Sequence, residues 1–547
     1  MPPNALNLLV FREARRLFRG AELKAALIRE LADLPVKLSH DRIMTALLSA
    51  GVLECGVADA DDALARALAP VTDRLAEALL HPGLALDAVS LARSLSEAAV
   101  PDEVSVSTPE GFAYYALQPL AFAEALEEIP APADSVLVVG IRSIGTTLSA
   151  VTAAAAQKRG IRAQRVTVRP VGHPYNRRVQ FSARQLDLIR RAASSGAAFV
   201  VVDEGPGLSG SSFLSVAESL EEAGAQREKI TLICGHEPDF DSFRASEGPR
   251  RARRFRWISA SSEPRRPRAA GSFVGGGEWR KHLFPDEHMW PASWTALERL
   301  KYLSSTGEAR RLFKFLGFGH YGEQVFEREE QVAAAGFGPS PQSESDGFAS
   351  YDWLGGRPLS ANDLSEAILE RLAGYCAFRA RAFATNIADL GAVEQMAEHN
   401  LCEMRIDLPL GLTIKRPTIC DGRMQPYEWL LTSNGRVLKT DSGSHGDDHF
   451  FPGPADIAWD LAGAIVEWRM NAARSEFFLE AYRRASGDDA WDRIANFMIA
   501  HAAFRSAYSR MAANALQGSD EEARHRIAAA GYDGVLEQFG QVAVPQP

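Results

Sequence analysis

Apolar positions recur at helical spacing through the first 95 residues, for example over 21–34 and 61–80, and predict a cap of amphipathic helices. From about residue 96 the pattern changes. Continuous apolar runs at 135–140, 199–203 and 230–234 alternate with helical stretches, and the first two runs end in Gly/Ser-rich turns that open helices. Runs of β-branched residues without polar alternation predict strands covered on both faces, hence a doubly wound parallel sheet. Residues 248–284 interrupt it. Arg250, Arg251, Arg253, Arg254, Arg256, Arg265, Arg266 and Arg268 crowd there with Pro249, Pro264, Pro267 and Gly275, Gly276 and Gly277, which reads as a basic Pro/Gly linker. A mixed segment and a long helical tail follow, with no repeat at fixed period. The expected units are therefore 1–95, 96–247, 248–284 and 285–547, in a multidomain α/β and α+β chain.

Composition narrows the function classes. With 547 residues, 46% apolar and 24% charged, the chain can build several real cores. No run of about 18 uncharged apolar residues predicts a membrane span. The net charge of −10 gives no overall pull toward nucleic acid or an anionic membrane, and neither is expected as a partner. Five cysteines, at 55, 234, 376, 402 and 420, form no C-x-x-C pair. That spacing suits a reducing cytoplasm without a disulfide framework or zinc cage.

The run 199–203 ends in V-V-V-D-E-G-P-G-L-S-G-S-S-F and then a helix. Gly205, Gly207 and Gly210 let the backbone turn tightly, Ser209, Ser211 and Ser212 offer hydroxyls, and the next helix aims its N-terminal amides at the loop. Asp203 and Glu204 suit sugar hydroxyls. The motif resembles the signature of type I phosphoribosyltransferases. The resemblance implies that Asp203 and Glu204 hold the ribose 2- and 3-hydroxyls of phosphoribosyl pyrophosphate, while Ser209, Gly210, Ser211 and Ser212 hold its 5-phosphate. The loop is about one residue longer than the usual form and carries Pro206. After the run 135–140 come Arg142, Ser143 and Gly145, where the family places its pyrophosphate loop: Arg142 would neutralise the leaving group, and Ser143 and Gly145 would line it, with Mg²⁺. Arg169, His173, Arg177 and Arg178 would belong to a mobile hood.

The later half holds four charged positions in a telling order. Lys314 ends a strand-like R-L-F-K-F; Glu327 and Glu329 sit on the next helix; Asp421 and Asp441 follow. Phosphoryl transfer from ATP needs a cation on the phosphates, an acid fixing that cation, a carboxylate by the acceptor and one on Mg²⁺. The segment resembles the aminoglycoside-phosphotransferase and choline-kinase branch of the kinase fold, with its two lobes. By that resemblance Lys314, with Glu327 or Glu329, holds ATP, Asp421 orients the acceptor hydroxyl and Asp441 holds Mg²⁺. Gly356–Leu359 would follow the hinge, and Asp456 with Asp460 would form the D-x-x-x-D helix. The usual catalytic loop has His before its Asp and Asn about five residues on. Here Cys420 precedes Asp421, Pro426 stands at the Asn distance, and Glu428 is the replacement expected on the metal. The cluster His445, Asp447, Asp448 and His449 lies just beyond.

The sequence thus predicts a bifunctional transferase: phosphoribosyl transfer to an unidentified acceptor, and ATP-dependent phosphorylation of a small molecule. The alternative is a ribose-phosphate- or nucleotide-binding regulator with a degenerate kinase-like unit. The helical cap offers a face for a homodimer.

Overall fold

The computed structural model describes residues 6–543 apart from 14, 35–38, 82, 130–133, 208, 261–265, 307, 308, 387 and 389. Pro264 and Arg265 of the basic segment therefore lie outside the described residues. Five parallel strands form one sheet in the order Arg162–Val168, Ser135–Ile141, Ala198–Val202, Ile230–Cys234, Arg256–Ser259. Alternate residues of Ser135–Ile141 feed two cores. Val136 and Val138 face helix Ile144–Lys158 and the cap, while Leu137 and Val139 face Phe213, Leu214 and Ile189 on the opposite side. Both faces are covered, as the unbroken apolar runs require.

The fifth strand comes from the segment read as a linker. Its signal was hidden because the apolar Trp257 and Ile258 are interleaved with arginines at a sheet edge. The neighbouring arginines do not form a free basic patch. Arg251 pairs with Glu218 (2.6 Å), Arg254 with Glu221 (3.0 Å) and Arg253 with Asp241 (2.6 Å).

The cap is built into the same body. Helices His40–Ala60 and Asp62–Leu80 pack on Ile144–Lys158, close enough that a Cβ on Gly51 would lie 2.0 Å from the Thr147 hydroxyl. His40–Ala60 is also the one described helix long and apolar enough to cross a membrane, yet 72% of its apolar window is buried against the chain. Three arginines at the sheet tie the cap down. Arg165 makes a bidentate pair with Glu54 (2.7 and 2.9 Å) and reaches Asp73; Arg142 holds Asp62 and the Ala58 carbonyl; Arg169 grips Asp59.

The later half has two lobes. The upper one is a five-stranded antiparallel sheet in which Ala309–Phe315 lies between Phe348–Asp352 and Lys301–Thr306, crossed by helix Gly319–Ala334. Its Phe313, Phe315, Phe318 and Phe348 belong to the same buried cluster as the cap. The lower lobe has a separate core around Trp429, Trp459 and Trp468, built from helices Glu366–Ala382, Ala458–Glu467, Ala472–Ser486 and Trp491–Ala515. Residues 7–12 lie on this lower lobe. Asn400 bonds both the amide and the carbonyl of Leu9 (2.7 Å each), and Phe11 stacks on Phe450. The four buried cysteines and the exposed Cys402 are all free.

Candidate active site

Between the two lobes lies a cavity of about 330 Å³, bounded above by Lys314 and Tyr351, at the connection between lobes by Asp352, Trp353 and Leu354, and below by Arg423, Glu428 and Asp441. Strand pairing puts Lys314 in the middle of the upper sheet, opposite Ala349 and Lys301. Its ammonium is buried, 3.3 Å from Glu329, and bonds the Asp441 carboxylate. Burial alone would lower the Lys314 pKa, but Asp441 and Glu329 outweigh it and raise it. The helix fixes which acid serves: Glu329 is buried toward the sheet, whereas Glu327, two residues earlier, is exposed.

Asp421 is placed differently from the expected acceptor-binding role. It is fully buried and does not line the cavity. Tyr375 donates its hydroxyl to one carboxylate oxygen, Arg379 stands 3.8 Å away, and Lys439 stands 3.6 Å away. Burial would raise its pKa, yet Lys439, His445 and Arg379 bring it down to about 2. The loop geometry explains the displacement. Asp460, on helix Ala458–Glu467, accepts hydrogen bonds from the amides of Asp421 (2.8 Å) and Gly422 (2.9 Å), pinning these two residues inward. Arg423 is the residue that emerges into the cavity, and Glu428 stands five positions beyond it. Asp456 does other work: it accepts from the amides of Lys415 and Arg416 and pairs with Arg493 (2.9 Å), holding the lower lobe together.

The acids expected on a metal already carry cations. Asp421, Glu428 and His445 have ligand atoms within 4.8 Å of one another. The Lys439 ammonium fills that space, 2.7 Å from Glu428 and bonded to the Asp441 carbonyl, so this cluster does not fit a divalent ion. Asp441 fits better. Its carboxylate borders the cavity and is partly exposed, and its pKa is well below the usual carboxylate range because Lys314 and His445 outweigh burial.

In the parallel-sheet unit the predicted residues gather at the carboxyl ends of the two central strands, where the strand order reverses and α/β sheets place ligands. There they largely satisfy one another. The Gly145 amide points to Asp203 and the Gly111 amide to Glu204. Burial raises Asp203 to about 7; burial, then Asp203 and Glu110, raise Glu204 to about 8. Ser209 and Ser211 both donate to the Pro174 carbonyl (2.7 and 2.6 Å), so the hood expected to be mobile is fastened on the serine loop. Gly210 takes a left-handed φ of 67° with the Phe243 ring beneath it. Ser212 alone of the three serines keeps its hydroxyl unengaged among the described residues. Ser143 is strained at φ 103° and donates its amide to Cys55 Sγ (3.2 Å). Arg142, expected on the pyrophosphate, and Arg169, expected in the hood, are instead the cap's anchors.

No family model and no curated protein matches this chain. Solved structures do. Choline kinase LicA from Streptococcus pneumoniae is 14% identical with a TM-score of 0.31, covering 43% of this chain and 90% of its own. Choline kinase from Cryptosporidium parvum is 11% identical (TM-score 0.32; 49% and 95%). The macrolide 2'-phosphotransferase MphH from Brachybacterium faecium is 15% identical (TM-score 0.30; 46% and 95%). The likeness is one of fold and spans about half of this chain.

Sequence reasoning missed Arg423, Lys439 and Tyr375. The spacing of five between Arg423 and Glu428 is present in the sequence, but an arginine at that place matches no carboxylate role. Tyr375, on a helix 46 residues earlier, carries no motif.

Proposed function

We propose that the later half binds a nucleoside triphosphate in the cleft between its lobes and acts as a small-molecule phosphotransferase of the kinase-like type. The observation that carries this reading is the Lys314 ammonium held between Glu329 and Asp441 at the wall of the cavity. Lys314 would bind phosphate oxygens, and Asp441 would exchange this lysine for Mg²⁺, which would neutralise phosphate charge when bound. Asp421, turned inward, does not take the carboxylate's place by the acceptor. Phosphoryl transfer relies chiefly on positioning and charge, so loss of a base slows it rather than abolishing it, by about 10²–10⁴-fold for general-base catalysis. In a calorimetric titration with a non-hydrolysable ATP analogue, the native chain should bind and Lys314→Met should weaken binding at least about tenfold. Absence of binding by the native chain would leave a scaffold instead.

A second reading concerns the parallel-sheet unit. The paired acids at the strand-order reversal, with Ser212 beside them, support a site for a ribose phosphate, and phosphoribosyl transfer is its chemistry. The fastened Ser209 and Ser211 must first release Pro174. Pyrophosphate release from phosphoribosyl pyrophosphate over a panel of amine and base acceptors tests it, with Asp203→Asn as the inactive control.

A further inference from the structure

The cavity continues past Arg423 into a chamber formed by helices Trp491–Ala515 and Asp520–Ala543, where Arg505, Tyr508, His525 and Tyr532 line it. Its unengaged polar groups share one character. Arg423 has its nearest ion-pair partner, Glu428, at 4.0 Å and makes no guanidinium hydrogen bond among the described residues. Arg505 bonds Tyr532 through Nε (3.2 Å) and approaches Glu467 (3.5 Å), leaving its terminal nitrogens without a hydrogen bond among the described residues. Both arginines lie beside Tyr508, Arg505 stacking 5.1 Å over its ring. The carboxylates of this chamber are taken. Glu467 accepts from Tyr532, His501 and Gln425, and Glu298 accepts from Ser293 and Trp279. Two further buried side chains, each only 2% exposed, keep polar atoms open: Oε1 of Gln425 has no partner among the described residues, and of the two ring nitrogens of His525 the Ser293 backbone can engage only one. Buried polar atoms left unbonded in a cavity wall mark where a ligand completes them.

We infer that this chamber is the acceptor site of the phosphotransferase cleft and that it takes a phosphorylated polyol. Two guanidiniums match a phosphate dianion, and the amide oxygen with the imidazole matches hydroxyls. A cationic acceptor would meet two arginines and no free carboxylate. The inference rests on the nucleotide reading of the same cleft, but its test is separable from it.

Ribose 5-phosphate is titrated calorimetrically into the full chain carrying Asp203→Asn and Glu204→Gln, which removes the parallel-sheet acids from the measurement. Binding is expected, with Arg505→Lys and Arg423→Gln each weakening it at least about tenfold, as for loss of a bidentate charged hydrogen bond. Unphosphorylated ribose and choline are expected not to compete. Unchanged thermal unfolding of the arginine variants confirms their fold. No binding of ribose 5-phosphate, binding indifferent to both arginines, or displacement by choline overturns the inference. An ATP analogue titrated separately reports on the nucleotide reading: its failure with arginine-dependent sugar-phosphate binding intact would sink that reading and leave this one standing.

Discussion

Asp203 and Glu204 show how burial sets a charge state. Their folded pKa values, about 7 and about 8, exceed the ordinary 3.8 and 4.5. The folded chain therefore keeps protons that the unfolded chain has shed, and the pair's contribution to stability falls as pH rises from about 4 through about 8. Urea unfolding at about pH 5.5 and about pH 8.5 should show this loss, and Asp203→Asn should reduce it. Lys439 is the reverse case, a buried cation whose pKa is raised because Asp421 and Glu428 outweigh burial. Lys439→Met takes the nearest cation away from two buried carboxylates and should cost about 3–5 kcal/mol by urea midpoint, as breaking a buried pair does. These roles show where sequence reading stopped. The pairing of Lys314 with Glu329 was legible because a cation near a strand end followed by acids on a helix is a local pattern. Asp421 was misjudged because its direction depends on Asp460, 39 residues later, and on Lys439 and Tyr375, none adjacent to it.

At the scale of elements, the parallel sheet was legible for a physical reason: strands buried on both faces must be continuously apolar. The helices of the cap were legible by period. Their purpose was not, because Glu54, Asp59 and Asp62 meet arginines about 80–110 residues away across a packed interface. The hood 171–178 depends on two serine hydroxyls for its attachment. Ser209→Ala with Ser211→Ala removes both donors to Pro174, and amide exchange over 171–178 should rise by at least about tenfold, the equivalent of about 1.4 kcal/mol, while the strands beneath stay protected.

Across the whole molecule, one short segment touches both candidate sites. Gly111 packs on the Glu204 carboxylate, and four residues on Tyr115 meets His449 Nε2 at 3.1 Å, in the loop that follows Asp441. Phe112 accepts from the amide of Phe318 at the start of the upper-lobe helix. A nucleotide that orders the Asp441 loop should therefore slow amide exchange over 110–118, and His449→Ala should remove that effect.

The strip of residues 7–12 on the lower lobe has a bearing on how such a chain is made. These residues are synthesised well before their seat, around Asn400 and Phe450, which lies some four hundred positions further along the chain. Until those later positions have been made, the strip has no seat to dock on. Cutting the gene into two separately expressed halves would strand that strip on the wrong polypeptide and leave Asn400 and Phe450 without it on the other.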